Sequence, residues 1–373
     1  MKRLLLVGAG HAHAQVLLSL ARRPLPGVDV TVVSPHALAP YSGMVPGWLS
    51  GHYRFEEIGI DFALLAAAAG ARWLEGELAA LDPDRYQATL ADGRTLGYEC
   101  LSLNNGSTLT APVPATGELL SMRPLSALRL RWEALLQRWQ AASDDRSAFT
   151  VTAVGGGAAG FESLLAVLAR LRAGAPQRAV HGRLVTRGAA LLPGLAPAAV
   201  RAGERALARA GVTLALNSEG SEAAAAGSDL VLWATGAEAH AWQRDAARRG
   251  TLAVGGGGFV RVDARLRSLS HANIFAAGDC AEWAEPLPKA GVYAVRMGPV
   301  LTRNLRALLG DGSAVSYVPQ RRFLALLATG DGRAIASRGG LAAEGRWVWR
   351  WKDHIDRGFL RRFALDGQGL PLQ

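Results

Sequence analysis

Two glycine turns, each following an apolar run and opening a helix-period pattern, are the residues in this chain best suited to chemistry. Residues 3–20 read RLLLVGAGHAHAQVLLSL: the run 4–7 stops at Gly8-Ala9-Gly10 and gives way to a helical pattern at Ala14, Leu17 and Leu18. Gly8 permits the sharp turn and Gly10 lets a pyrophosphate approach the backbone, while the helix start offers unpaired N–H groups and a partial positive charge. His13 stands where the third glycine of G-x-G-x-x-G would allow close packing, so either the helix sits differently or the ring fills a space there. Residues 151–160, VTAVGGGAAG, repeat the pattern with Gly155, Gly157 and Gly160 all in place. Two such cradles imply two dinucleotides.

The elements that must position these turns follow from periodicity. Residues 28–33 form a β-branched strand parallel to the first, and at its end Ser34 stands where a dinucleotide fold offers an acid to a ribose; its hydroxyl can accept that bond more weakly. Residues 39–51, APYSGMVPGWLSG, are too rich in Pro and Gly for a helix and read as a loop, either packed or lining a site. Residues 61–70 read as a short helix, and 73–103 as antiparallel strands ending in SLNNGS. A helix is expected over 123–142, a loop over 144–147, and a helix from Ala158 to about Ala173. After the next strand, 183–186, Thr186 and Arg187 again stand in place of an acid; Arg187 either meets a 2′-phosphate or is solvated surface.

Further on, the strand in 227–236 breaks at Ala-Thr-Gly236, and another ends Ile274-Phe-Ala-Ala-Gly-Asp-Cys280. Gly278 allows close backbone approach, and Asp279 can accept a hydrogen bond from a cofactor hydroxyl. A helix opening at 288–291 and ending near Leu309 points its dipole, with the charge of Lys289, at an anionic ring. In the tail, Trp347, Trp351, Ile355, Phe359 and Phe363 recur at i+4, flanked by Arg350, Arg357, Arg361 and Arg362. The stripe is expected to dock as core, a membrane surface being the alternative.

Composition sets the class. The chain has 373 residues, half of them hydrophobic, and its net charge of +10 comes almost wholly from Arg, since Lys2, Lys289 and Lys352 are the only lysines. No dense basic run or nucleic-acid motif accompanies the charge, so nucleic acid is not an expected partner. Cys100 and Cys280 lie far apart, without metal or disulfide spacing. Residues 4–21 carry no formal charge, yet Gly8, Gly10, His11, His13 and Gln15 in their middle fit a phosphate turn and not a lipid-facing helix. A cytoplasmic protein is expected, with peripheral contact at the inner face of the membrane through the C-terminal helix as an option. A metal site joining His11 and His13 to His36 and His52 fails on geometry, because two helical residues two apart diverge by about 200°.

The two cradles, the ATG at 234–236 and the AAGDC at 276–280, in that order, resemble the two-dinucleotide-binding flavoproteins of the pyridine nucleotide-disulfide oxidoreductase superfamily over roughly residues 1–310. GHAHAQVL at 10–17, YSGMVPGW at 41–48, PKAGVYAVRMGP at 288–299, TGDGRAIAS at 329–337 and WRWKDHIDRGFLRRF at 349–363 look like the subfamily related to type II NADH dehydrogenases that is sometimes fused to the N-terminus of selenophosphate synthetase. The resemblance implies an α/β fold with two Rossmann-like (GR2-type) domains, the second inserted in the first, and a C-terminal α/β extension. Boundaries are expected at 1–115 and 246–315 for the FAD-binding domain, 116–245 for the NAD(P)-binding domain and 316–373 for the extension. It implies FAD at Gly8, Gly10 and Asp279 and NADH or NADPH at Gly155, Gly157 and Gly160, with Glu162 near the nicotinamide; read from the residues themselves, His11, Ser34, Gly106 and Gly278 are further candidates for the flavin nucleotide and Arg187 and Gly236 for the nicotinamide nucleotide.

That superfamily's disulfide reductases carry a cysteine pair after the second strand; this chain has YSGMVPG there, which excludes an internal dithiol and disfavours sulfide:quinone chemistry. The expected activity is hydride transfer from NAD(P)H to FAD and then to a second acceptor, a quinone being the candidate. Lys289, Tyr41 and Trp48, with Met44 and Pro46, are the residues expected at the reacting ring. The alternative is an FAD-binding redox sensor or partner module with a vestigial second site, linked to selenium metabolism. Oligomeric state is left open.

Overall fold

The computed structural model describes residues 1–111, 117–142, 146–218, 227–320, 322–366, 369 and 371–372. The loop expected over 144–147 lies in part outside these residues, as does the boundary between 115 and 116. The chain opens with β1 (Lys2–Val7), α1 (His11–Arg22), β2 (Val28–Ser34), α2 (Val45–Leu49), α3 (Phe62–Ala68), β3 (Arg72–Glu75) and β4 (Cys100–Leu103). It continues through β5 (Glu118–Ser121), α4 (Leu125–Ala141), β6 (Phe149–Val154), α5 (Ala158–Gly174), β7 (Val180–Val185), α6 (Pro197–Arg209), β8 (Val212–Ala215) and β9 (Leu230–Trp233). Then follow β10 (Ile274–Ala276), α7 (Gly291–Leu309), β11 (Ala325–Ala328), β12 (Ala334–Arg338), β13 (Leu341–Gly345) and α8 (Arg346–Arg361).

Five parallel strands in the order β10-β4-β1-β2-β3 make the first sheet. A second parallel sheet, β5-β9-β6-β7-β8, is made entirely from chain lying between β4 and β10, so the second unit is inserted in the first. Strands buried on both faces must be apolar throughout. In β1, Leu4 and Leu6 enter a core with α1, α3 and α7, while Leu5 and Val7 enter one with Leu78, Ala88, Leu90 and Tyr98. The antiparallel strands β11, β12 and β13 form a third sheet, and Leu327 and Ile335 from it join the core of the second unit.

One packing detail fixes the helix of the first cradle. Pro299 inside α7 has no N–H to donate to the carbonyl of Val295, and Gln15 of α1 takes that place, its Nε2 donating to Val295 O at 2.7 Å. A Cβ on Gly298 would overlap the Gln15 side chain, so the glycine admits the donor.

Three expectations are corrected. Residues 39–51 are not a loop: Ser42–Met44 is a 3-10 turn and α2 follows, because Pro46 sits in the first helical turn where no N–H is needed, and Gly47 makes room for the Tyr53 ring. Within 73–103 only the middle, Leu78–Asp82, Gln87–Leu90 and Thr95–Gly97, is an antiparallel meander; the flanking β3 and β4 join the parallel sheet. The tail stripe is split. Trp347, Trp351 and Ile355 are 58%, 40% and 38% exposed, and only its far end, Phe359 and Phe363, is buried. What α8 turns inward is Val348, Lys352, Asp356 and Phe359. Among the described residues no helix is long and apolar enough to cross a membrane.

Candidate functional site

The first cradle is built around Asn104. Gly8 has φ +100 and its N–H donates to Val33 O at 2.8 Å, turning the chain from β1 into α1. Asn104, just past β4, accepts from Ala12 N at 3.0 Å and His13 N at 3.2 Å through Oδ1, and its Nδ2 donates to Ala277 O at 2.6 Å. A Cβ on Gly10 would overlap the Asn104 side chain, and one on Gly278 would lie 2.9 Å from Asn104 Nδ2. Asn104 thus caps α1 and ties the turn to β4 and β10. The expectation of an uncapped helix start is therefore corrected: two of its donors are taken, and the amides of Ala9, Gly10 and His11 are the ones without an acceptor among the described residues. The side-chain oxygen of Asn105 beside them is buried and unpaired.

His13 fills the space of the missing third glycine. Its Nδ1 lies 2.7 Å from Gly8 O and its Nε2 2.8 Å from Ser102 Oγ. A carbonyl only accepts, so Nδ1 carries the proton, Nε2 accepts from the Ser102 hydroxyl, and the ring is neutral. Burial pushes its pKa down to about 4, against the pull of Gly8 O. Ser34 is buried; its hydroxyl donates to His36 O and accepts from His36 N at 3.3 Å, leaving little for a ribose.

Gly278 takes φ +74 and presents Asp279. Arg123 and Ser107 both donate to Asp279 Oδ2, Ser107 at 3.3 Å, and Arg123 also bonds Ser107 Oγ and reaches Lys289 O at 3.3 Å. The Lys289 ammonium is engaged elsewhere, 3.7 Å above the Phe259 ring and donating to Ala281 O at 2.6 Å; burial lowers its pKa in spite of Cys280, Asp279 and Glu282. Gly106, at φ +72, has open space where a Cβ would project. Cys100 and Cys280 are buried free thiols pushed up by burial to about 12 and about 11, unsuited to redox attack.

Between the two units lies a cluster of rings and charges. Tyr41 lies tilted against Phe359, 34° between planes and 4.7 Å between centroids, and meets His11 edge-on at 5.3 Å. Its hydroxyl interacts with Asp356, and burial first, then that carboxylate, raises its pKa. Lys352 donates to Asp356 Oδ2 at 2.6 Å and to Gly43 O at 2.5 Å. Glu162, from the first turns of α5, accepts from Ala328 N at 2.7 Å; burial raises its pKa to about 7, opposed by Lys352 and the Ala328 N–H and reinforced by Asp356. Asp356 is likewise raised, by burial, in spite of Lys352. His11 is depressed to about 4 by burial, against the pull of Asp279.

Trp48 has its ring contact elsewhere. It is 8% exposed, its ring 5.2 Å from Phe55, and with fully buried Met44 it belongs to the core of the second unit, because the residues expected to loop over a ring instead coil into α2 and pack.

The second cradle is open. Gly155 has φ +125, and a Cβ there would lie 2.8 Å from Ala234 O; a Cβ on Gly160 would overlap Gly155 O, which is the close helix packing the third glycine allows. A Cβ on Gly157 would meet nothing, and the amides 156–159 have no acceptor among the described residues. In front of them is a cavity of 590 Å³ lined by Thr186, Arg187, Trp233 and Gly236 among others. Thr186 Oγ1 accepts from Gly188 N at 3.2 Å. Among the described residues no group of three or more His, Cys, Asp or Glu could hold a metal ion.

Sequence reasoning missed Asn104, Ser102, Arg123, Lys352 and Asp356. A signal existed for Lys352: it is one of only three lysines among 41 basic residues, and it is the one that is buried with its ammonium on a carboxylate.

A family model described as pyridine nucleotide-disulphide oxidoreductase matches residues 2–298. The chain is 25% identical to ferroptosis suppressor protein 1 of Taeniopygia guttata, over 88% of this chain and 87% of that protein. Among solved structures it is similar to the sulfide:quinone oxidoreductase of Aquifex aeolicus, with a TM-score of 0.78, 16% identity and coverage of 97% of this chain and 91% of that one. It is also similar to NDH2 of Plasmodium falciparum in complex with NADH, with a TM-score of 0.74, 13% identity and 99% coverage of both chains. At such identities the structural likeness shows the fold.

Proposed function

This chain belongs to the pyridine nucleotide-disulphide oxidoreductase family and is an oxidoreductase, and from that premise we propose that it holds FAD in the first cradle, takes a hydride from NADH or NADPH in the second, and passes electrons to an acceptor without an internal dithiol. One observation carries the reading: His11, Tyr41, Asp356 and Lys352 interact in turn from the start of α1, and Lys352 and Asp356 lie within electrostatic reach of Glu162 at the start of α5. The two cradles therefore serve one reacting centre. FAD, when bound, supplies a ring that accepts a hydride and releases electrons.

The chain's own residues have separable tasks. The free amides of Ala9, Gly10 and His11 suit the pyrophosphate, and Asp279 a ribityl hydroxyl. Glu162, near pKa 7, and Asp356, raised by burial, can hold or release a proton beside the ring. The aromatic wall of Tyr41 and Phe359 suits a flat, weakly polar acceptor, which supports a quinone. The outward face of α8, with stacked Trp347 and Trp351, Ile355 and neighbouring Arg350 and Arg361, suits peripheral contact with an anionic bilayer surface, where such an acceptor dissolves.

The engaged hydroxyls of Ser34 and Thr186 at the two ribose positions favour a second reading, a flavin-binding sensor with an idle second site. Anaerobic titration separates the two. The purified protein should contain about one FAD per chain, bleached by NADH and by NADPH, with Arg187→Ala losing NADPH and keeping NADH. A colourless protein that cannot be reconstituted with FAD sinks both readings; flavin that neither nucleotide bleaches leaves the sensor.

A further inference from the structure

Arg123 stands two residues beyond β5, at the edge of the second sheet, yet its guanidinium is inside the first unit. There it donates to Asp279 Oδ2 and Ser107 Oγ through Nη1 and to Lys289 O through Nη2. Those three acceptors belong to three separate segments: the stretch after β4, the turn after β10, and the approach to α7. The pair is largely shielded, with side-chain exposures of 28% for Arg123 and 16% for Asp279. Both donors to the carboxylate, Arg123 and Ser107, use Oδ2. Among the described residues Oδ1 has no partner.

We propose that Arg123 is a positioning residue for the cofactor of the first cradle: it fixes one oxygen of Asp279 so that the other is presented to a ribityl hydroxyl. The inference rests on the FAD reading above. A carboxylate is free to rotate about its last bond, and an ion pair to one oxygen removes that freedom before the cofactor arrives. The planar fork of Arg suits the task, since one end reaches two acceptors and the other a third. Because the guanidinium is carried by the second unit, the grip on the cofactor also depends on how that unit is seated. By residue type alone Arg123 is one arginine among many.

The test is FAD affinity of full-length protein stripped of flavin, followed by quenching of flavin fluorescence, for the wild type, Arg123→Met, Arg123→Lys, Asp279→Asn and the Arg123→Met/Asp279→Asn double variant. Arg123→Met should weaken binding by about tenfold or more, the worth of a charge-assisted hydrogen bond, and Arg123→Lys should recover part of it. The double variant should bind no more weakly than Asp279→Asn alone, because Arg123 acts through that carboxylate. Unchanged affinity in Arg123→Met overturns the proposal, and so do losses that multiply in the double variant, which would mean separate contacts. Far-UV circular dichroism checks each fold; if Arg123→Met does not fold, a cycle of Arg123→Lys with Asp279→Asn is judged by the same criteria. A wild type that takes up no FAD removes the cradle assignment and this inference with it, whereas normal uptake in wild type and all variants removes the inference alone.

Discussion

Lys352 and Asp356, one turn apart on the last long helix, meet inside the protein at 2.6 Å with side chains 5% and 7% exposed, while Trp347 and Trp351 of the same helix face outward. Removing one member of so buried a pair leaves a charge with no counter-ion, which costs about 3–5 kcal/mol. Lys352→Met should lower stability by that amount in urea unfolding, and Lys352→Met/Asp356→Leu should recover most of it. Equal losses in the single and double variants would show that packing, and not charge, is at stake.

The neutral imidazole of His13 makes the fold acid-sensitive in a defined window. Its folded-state pKa is depressed from 6.5 to about 4, so its contribution is whole above about 6.5 and is lost as pH falls through 4. His13→Gln keeps a donor and an acceptor without a titration, and the wild type should lose on the order of 3 kcal/mol relative to it between neutral pH and that point. Glu162 runs the other way: raised from 4.5 to about 7, it contributes fully below 4.5 and loses that contribution as pH rises through 7. Glu162→Gln should therefore flatten stability between about pH 4.5 and pH 7. Unfolding midpoints measured across pH decide both, and parallel curves for wild type and variant refute the assigned burial.

At the first cradle, Asn104→Asp keeps the acceptor for Ala12 N and His13 N, loses the donor to Ala277 O, and adds a negative charge beside the amides proposed for a pyrophosphate. FAD binding should weaken by about tenfold or more at low salt and recover partly as salt is raised, the salt dependence separating the charge effect from the lost bond to Ala277 O. Affinity that does not respond to ionic strength would place the anion elsewhere.

Tyr41 and Trp48 should part company in stopped-flow work. Tyr41→Ala should slow reoxidation by a soluble quinone analogue and leave reduction by NADH intact, because the ring lies in the cluster with His11 and Phe359. Trp48→Ala should instead cost about 3–5 kcal/mol of stability and leave both half-reactions of the folded fraction unchanged. If Trp48→Ala selectively slows the quinone step, the acceptor lies nearer α2 than the packing allows.

The two parallel sheets and their glycine turns were legible because each rests on local patterns: an apolar run, a Gly at positive φ, a helical period. What stayed hidden depends on partners far along the chain. Asn104 looks like a loop residue until α1 folds onto it, and Arg123 and Asp279 are separated by the whole second unit. Residues 39–51 misled because Pro and Gly disfavour helix only in its interior, and Pro46 falls in the first turn. The tail misled for a different reason: a stripe of aromatics predicts the buried face only when the other face is more polar than the core can tolerate, and Lys352 and Asp356 satisfy each other.

The insertion of one sheet within another also sets an order of events at the ribosome. β4 ends at Leu103, but its neighbour β10 does not exist until residue 276 has been made, and Asp279 follows still later. The nucleotide-facing second sheet can thus close on itself while the first still lacks an edge, and during that interval β4 has an unpaired side. On the proposed assignment flavin loading is consequently a late step in biogenesis, and a truncation between Trp233 and Asp279 yields a polypeptide that can complete its second sheet but not its first cradle.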